Sequence, residues 1–421
     1  MSTSTSSGLE DLLRARRGVV RVVPANTHEA HHHESYNSLV QVLAKYGILD
    51  TPELVVVDST QALTEMVSIG SRRWIVYDLH LGRIFARLNA IGKDDVELDS
   101  IDADLTRIYT GRLLTHGRAQ AAYLVAMFHL NPLIDDLVVA DENDLDNQRW
   151  IRAQEIFVLA HELMHFVFAE HSDMASRLTD MYFTLCEAEE SDADERDIVP
   201  AEQVAESFAE DYNREWVRRH GASDPEMLAA GKKELVARYL KSIGAAEHHT
   251  SKAARDDVVL SEEVVCDAGA AVLTAIVLGQ SSPDETLYAL VAAFDANQKL
   301  RVITHMDYKI LKRGSTPTGL SGVSLRGSQL RQFYRAIYES QLVSAIFGFE
   351  GTVTDHTEML DQIRMTNMRF YAHIFDQLLT EIFYIPMEKF VDADSSLSAV
   401  VSVPPVQACY KFATGMMLTE D

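Results

Sequence analysis

Two histidines and a glutamate are spaced for metal chemistry in residues 157–168, which read FVLAHELMHFVF. His161 and His165 are four positions apart, so on a helix both lie on one face and can bind a single metal ion. Glu162 lies one step around that helix, where its carboxylate can take a proton from a metal-bound water that attacks a carbonyl. The spacing therefore predicts a metal-activated water with Glu162 as its general base.

The surroundings of this pattern bear on whether it is a metal site or a coincidence. Average residue frequencies produce the pattern by chance in roughly one chain in a hundred of this length. It lies in an apolar run from Ile156 to Phe168, where histidines and a carboxylate are costly to bury without a metal ion or hydrogen-bond partners. The alternative is a core helix with two hydrogen-bonded histidines, which would hold no stoichiometric metal and tolerate the loss of both histidines.

A third ligand must come from another segment, and residues 260–271, LSEEVVCDAGAA, offer the best candidate. Glu263 and Asp267 are spaced i, i+4 and face the same side of a helix. Glu263 can bind the metal, while Asp267 can accept the ring N–H of a ligand histidine, most simply His161, and so fix its orientation.

Other side chains remain as alternative ligands. Glu206 and Glu210 share the i, i+4 spacing, but their segment is polar and runs into an amphipathic helix. Glu262 directly precedes Glu263, and Cys266 is more simply explained as a small buried helix residue. We favour Glu263 because its helix continues as AGAAVL, which predicts burial beside the first helix.

With H-E-x-x-H followed by E-x-x-x-D, the chain resembles the gluzincin metallopeptidases, and among them the HtpX-type and CAAX-prenyl-protease branch. The resemblance implies zinc ligands His161, His165 and Glu263, with Glu162 as general base and Asp267 behind a ligand histidine. It also implies a zincin-like core, hydrolysis of peptide bonds, and a protein or peptide substrate.

The resemblance extends upstream, to segments that resemble the strand, strand and helix preceding the zinc helix: Pro52–Ser59, Arg73–Asp78 and Leu81–Leu88. The distance from His165 to Glu263, 263 − 165 = 98 positions, is long for a compact gluzincin. It predicts a helical insert at about 172–258, with helices at about 172–189, 201–219 and 225–243. The named relatives are membrane proteins, yet no apolar run here approaches the roughly 20 residues that a spanning helix needs, so we expect no integral membrane segment.

Zinc peptidases also need a group that stabilises the oxyanion formed during attack. Our candidates are Arg331 and His305. The segment 324–331, SLRGSQLR, resembles the arginine-bearing segment that follows the E-x-x-x-D helix in some gluzincins. Further downstream side chains of suitable chemistry are Tyr308, Arg326, Tyr334, His356 and His373.

Composition narrows the class of protein. A chain of 421 residues with 47% apolar residues can bury a sizeable core. Its three cysteines form no disulfide framework, which fits a reducing compartment, and the N-terminus lacks a secretory signal pattern, so we expect a cytoplasmic location. A net charge of −25 argues against nonspecific nucleic-acid binding.

The expected fold is α+β and mostly helical, a zincin-like core with a small mixed sheet before the zinc helix. Residues 1–35 are expected to form a flexible tail whose histidine cluster, residues 28–34, can hold a metal ion only loosely for want of a rigid scaffold. Residues 36–320 are expected to form the metallopeptidase domain with its insert, and residues 321–421 a helical segment that packs on it.

The predicted function is that of a zinc-dependent metalloendopeptidase. Two alternatives keep the zinc: a binding or regulatory protein that no longer cleaves, and a protease held latent by its insert and restricted to one partner. Intact Glu162 favours the enzyme over the first of these, because a retired protease often lacks that residue.

Overall fold

The structure is a computed structural model, and the statements below concern the residues that it describes. These are residues 9, 12–13, 19–23, 30–59, 64–91, 98–119, 121–123, 125, 145–193, 206, 209–210, 213–214, 217, 224–246, 251–279, 283–311, 326–327 and 329–337.

A four-stranded mixed sheet comes first, with the strands β1 (Val19–Val22), β2 (Glu53–Ser59), β3 (Glu65–Ile69) and β4 (Arg72–Asp78) in the order β1-β2-β4-β3. The central pair, β2 and β4, is parallel, while β1 and β3 run antiparallel to their neighbours. Strands β2 and β4 are rich in valine, isoleucine and aromatic residues, which favour a pleated, buried setting. Gly70 adopts a φ of 63° at the turn between β3 and β4, a conformation that glycine adopts without strain.

Helices make up most of the rest of the described chain. Their bounds are α1 Ala30–Lys45, α2 Leu79–Ile91, α3 Leu98–Thr115, α4 Leu145–Glu170, α5 Ser172–Ala193, α6 Pro225–Ala246, α7 Ser251–Asp256, α8 Val258–Leu278 and α9 Pro283–Leu311. The prediction of a mostly helical α+β fold with a small mixed sheet before the histidine-bearing helix is confirmed. Within the part of the chain described here, none of the helices has both the length and the apolar character needed to cross a membrane.

The N-terminal segment differs from the expected tail. Its described residues include strand β1, and helix α1 begins at Ala30, inside the histidine cluster. Leu9 and Leu13 are buried in a hydrophobic cluster with side chains of the sheet, among them Val57 and Trp74. The described apolar residues of this segment therefore contribute to the core, because Leu9 and Leu13 pack against the sheet.

Helix α4 is packed on several sides by other elements of the first unit. It packs against helices α1, α2 and α9 and against strands β3 and β4. Apolar side chains are buried around its circumference, including Phe157, Leu159, Ala160, Leu163 and Val167. Such a helix is held by packing on several sides, so the side chains that it carries have fixed positions.

The chain divides into two compact units. The described residues of Met1–Met174 and Gly269–Gly314 belong to the first, and those of Ala175–Ala268 and Ser315–His373 to the second. Helices α5 and α6 begin at the positions expected for two of the insert helices, while the expected helix at 201–219 falls mostly outside the described residues. Of the expected C-terminal segment, residues 326–327 and 329–337 are described, and they are helical.

Candidate metal centre

His161 and His165 lie on helix α4 with their side chains turned toward each other. Their Nε2 atoms are 3.0 Å apart, and the ring centroids are 4.7 Å apart with nearly perpendicular planes. Two nitrogen ligands of a tetrahedral zinc ion, each about 2.0–2.1 Å from it, lie about 3.3 Å apart. The separation of the two Nε2 atoms is therefore close to that of two nitrogen ligands of a single zinc ion.

Glu162 is held beside this pair by the sheet. Its Oε2 accepts a hydrogen bond of 2.9 Å from the backbone N–H of Met66, on the edge strand β3. The backbone of β3 is fixed by its pairing with β4, so this bond fixes the direction of the carboxylate. The residue expected to be the general base thus has a defined position and is only partly buried.

Helix α8 approaches α4 closely at Gly269. A Cβ atom at this position would lie 2.7 Å from Cε and 3.0 Å from Sδ of Met164, a residue that lies between the two histidines in sequence. Only glycine fits this contact without displacing the methionine, which explains the small residue here. Glu263 lies six residues earlier on the same unbroken helix, about 9 Å along its axis.

Glu263, the expected third ligand, is half-buried on the α8 residues that belong to the second unit, and its part in a site with the two histidines of the first unit stays a prediction. Two imidazoles and a carboxylate are a donor set that zinc accepts, with a fourth position left for water.

Glu262 and Cys266, the alternative ligands next to Glu263, lie on the same helix. Burial raises the pKa of the Cys266 thiol, and the Asp267 and Glu263 carboxylates raise it further. Cys266 is fully buried, which agrees with its interpretation as a small buried helix residue.

The other alternative ligands lie in a different setting. Glu206 and Glu210 are both exposed, and Glu210 forms an ion pair of 2.6 Å with Lys232. Neither belongs to the metal-compatible groups found among the described residues.

Asp267 is bound by an arginine. Nε and Nη2 of Arg326 donate to its two carboxylate oxygens over 2.8 and 2.7 Å, and Nη1 of the same arginine lies 2.7 Å from Oε2 of Glu263. Burial opposes the charge of the guanidinium, yet the Asp267 and Glu263 carboxylates raise the pKa of Arg326. One arginine thus clamps the two carboxylates that share a face of α8, and the expected bond from Asp267 to His161 stays a prediction.

The sequence did not predict that Arg326 would bind both Asp267 and Glu263. The sequence indicated Arg326 only as one of several downstream cations. The available signal was the carboxylate pair itself, since a carboxylate as buried as Asp267 requires a cation or hydrogen-bond donors nearby.

The two oxyanion candidates lie elsewhere in the chain. Arg331 is half-buried on the helical residues 329–337, five positions after Arg326. His305 lies within helix α9, but its side chain is outside the described residues.

Comparisons of the chain with protein-family models, with curated proteins and with solved structures find no match. The function therefore has to be argued from the chemistry of the residues themselves.

Proposed function

We propose that this chain is a zinc-dependent metalloendopeptidase with a zincin-like core, which hydrolyses peptide bonds in a protein or peptide substrate. The observation that carries the proposal is the pair of His161 and His165, whose Nε2 atoms are 3.0 Å apart, beside a Glu162 that the Met66 N–H holds in place. Glu263 is proposed as the third ligand. The donor types fit zinc, and the fourth coordination position is where a water can bind.

Bound zinc would supply the acidity of a coordinated water. The role proposed for Glu162 is that of a general base, which would accept a proton from the attacking water and pass it to the leaving amine. The Met66 N–H donates its hydrogen bond to Oε2 of Glu162, and in this proposal Oε1 acts as the base. A carboxylate held by a backbone N–H is oriented without being neutralised, which suits a general base.

Glu263 owes its orientation to Arg326, whose Nη1 lies 2.7 Å from Oε2. In this proposal Glu263 would be the third residue to hold the metal. Asp267 in turn fixes the guanidinium through two hydrogen bonds. Arg326 thus positions a ligand, while Arg331 and His305 remain the candidates for oxyanion stabilisation.

The first test measures bound zinc in the full-length wild-type protein and in Glu263→Ala. We expect Glu263→Ala to lose about one zinc per chain relative to the wild type, because it removes one of three protein ligands. Glu262→Ala is the matched control, since it removes the neighbouring carboxylate and should keep the metal. Loss of zinc in Glu262→Ala but not in Glu263→Ala would assign the ligand to Glu262 and contradict the proposed set.

The second test measures cleavage of a complex peptide library by mass spectrometry. Glu162→Gln should keep zinc and the Met66 hydrogen bond, because the amide retains an acceptor oxygen, and should lose cleavage by about 10²–10⁴-fold. Full cleavage by Glu162→Gln would refute the mechanism. Zinc binding without cleavage in the wild type would support the non-cleaving binding protein or the partner-restricted protease.

A further inference from the structure

A second cluster of metal-binding side chains lies in the first unit, at the start of helix α1. His31 Nε2 lies 3.5 Å from Oε2 of Glu155, and His32 Nε2 lies 3.2 Å from Oε1 of the same carboxylate. One ligand atom from each of the three residues lies within 4.8 Å of the others. Neither the spacing of the histidines nor their position in the sequence indicated Glu155, which is 123 residues beyond His32.

The carboxylate of Glu155 is buried and fixed in position. The hydroxyl of Tyr77 donates to Oε1 over 2.6 Å. Gly82 leaves the space for it, because a Cβ atom there would collide with Oε1. The Glu155 carboxylate, carried by helix α4, thus contacts strand β4 at Tyr77 and lies close to helix α2 at Gly82.

The two histidines present their Nε2 atoms to different oxygens of one carboxylate. Their rings are in contact, with centroids 3.7 Å apart and planes tilted by 39°. Two neutral rings would each donate one Nε2–H to the carboxylate, whereas protonation of both rings would place two positive charges in contact. A metal ion shared by both nitrogens and the carboxylate uses all three groups without that repulsion.

We propose that His31, His32 and Glu155 form a second binding site for a divalent transition-metal ion of the zinc class. Imidazole nitrogens favour zinc-class ions over calcium or magnesium, which bind oxygen ligands. His32 is buried, while the His31 side chain is 44% exposed, so the ion and a completing water have access from that side. This inference does not depend on the proposed peptidase activity.

The position of the site assigns it a structural role. Glu155 precedes His161 by six residues on α4, which separates them by about 9 Å along the helix axis. Two ions that act jointly on one substrate are about 3.5–4 Å apart. The second ion therefore ties helix α1 to helix α4 and, through Tyr77, neighbours strand β4, without joining the reaction.

The test uses the full chain with His161→Ala and His165→Ala, which removes the first site. After metal removal with a chelator, Zn²⁺ is added in a calorimetric titration, and we expect about one ion to bind per chain. Adding His31→Ala should abolish that binding or weaken it at least about tenfold. His33→Ala is the matched control, because it removes a histidine of the same helical turn that is outside the cluster.

Thermal unfolding provides the second measurement. Saturating Zn²⁺ should raise the Tm of the double variant and of its His33→Ala form, but not of its His31→Ala form, because an ion that binds only the folded state stabilises it. His31→Ala is chosen over changes at Glu155 because its half-exposed side chain can be removed with the core intact.

Two results would overturn the proposal. One is a folded double variant that binds no Zn²⁺, and the other is Zn²⁺ binding that persists unchanged in the His31→Ala form. If the double variant does not fold, bound zinc is counted in the otherwise wild-type chain. His31→Ala is then expected to lower it by about one ion per chain and His33→Ala to leave it unchanged, and equal zinc in the two variants would refute the site.

Discussion

Replacing Arg326 by methionine should destabilise the second unit more than a substitution at an exposed position would. Asp267 is 1% exposed and accepts two hydrogen bonds from Arg326, which is 25% exposed and also contacts Glu263. Removing one partner of a buried ion pair costs about 3–5 kcal/mol, because the other charge loses its compensation. Since the arginine is partly exposed, we expect the lower end, a loss of about 3 kcal/mol in the free energy of unfolding.

The assay is equilibrium urea unfolding followed by circular dichroism, in the presence of a chelator so that bound metal does not contribute. A double-mutant cycle with Asp267→Asn isolates the pair, and we expect the double variant to be about 1–3 kcal/mol more stable than the sum of the single losses predicts. Arg335→Met is the control. It removes a half-buried arginine from the same helical residues 329–337 and should cost less than about 1 kcal/mol.

The reasoning fails if Arg326→Met costs no more than Arg335→Met, or if the cycle is additive. In that case the bond from Asp267 to His161, expected from the sequence, becomes the main role of the carboxylate. Asp267→Asn would then weaken zinc binding about 10–100-fold with little loss of stability, as for other groups that orient a ligand histidine. Stability and zinc affinity measured on the same variants thus separate the two roles of Asp267.

Three further predictions concern the first unit. Gly269→Val should cost about 1–3 kcal/mol by overpacking, and Met164→Ala in the same chain should recover part of that loss in urea unfolding. Burial, and then three neighbouring arginines, hold the pKa of His80 well below its usual range, so the unfolded state alone gains a proton as pH falls below about 6.5. The wild type should therefore lose up to about 1.4 kcal/mol per pH unit there, and His80→Leu should flatten that slope in denaturation measured from pH 7.5 to 5.5. Trp150 Nε1–H donates to the Asp295 carboxylate over 2.9 Å, so Trp150→Phe should lower the free energy of unfolding by about 1.5–3 kcal/mol, and an unchanged urea midpoint would contradict this.

Local patterns predicted much of the candidate site. The apolar run around His161 and His165 identified a buried helix, and the i, i+4 spacing of Glu263 and Asp267 placed both on one face of a second helix. These inferences depend on helix periodicity alone, which can be read from residues that are close in sequence. The close approach at Gly269 agrees with the prediction that its small-residue helix is buried.

The sequence did not predict which side chains, distant along the chain, would contact each other. Arg326 contacts a carboxylate 59 residues earlier, and Glu155 contacts His32 across 123 residues. The histidine cluster looked like part of a tail because it ends a polar, Ser/Thr-rich stretch with no evident scaffold. Helix α1 is nevertheless present there, since tertiary packing of its apolar face outweighs weak local preference.

On helix α4, the polar residues of a buried segment indicate tertiary contacts. Because apolar side chains are buried around its circumference, a polar group on it requires a tertiary partner rather than water. Glu155 accepts a bond from a buried tyrosine, and Glu162 accepts one from the Met66 N–H. His161 and His165 differ, because their facing atoms are two ring nitrogens 3.0 Å apart. Either a hydrogen bond between the two rings or a shared metal ion stabilises that approach, and the zinc content of the purified protein distinguishes the two.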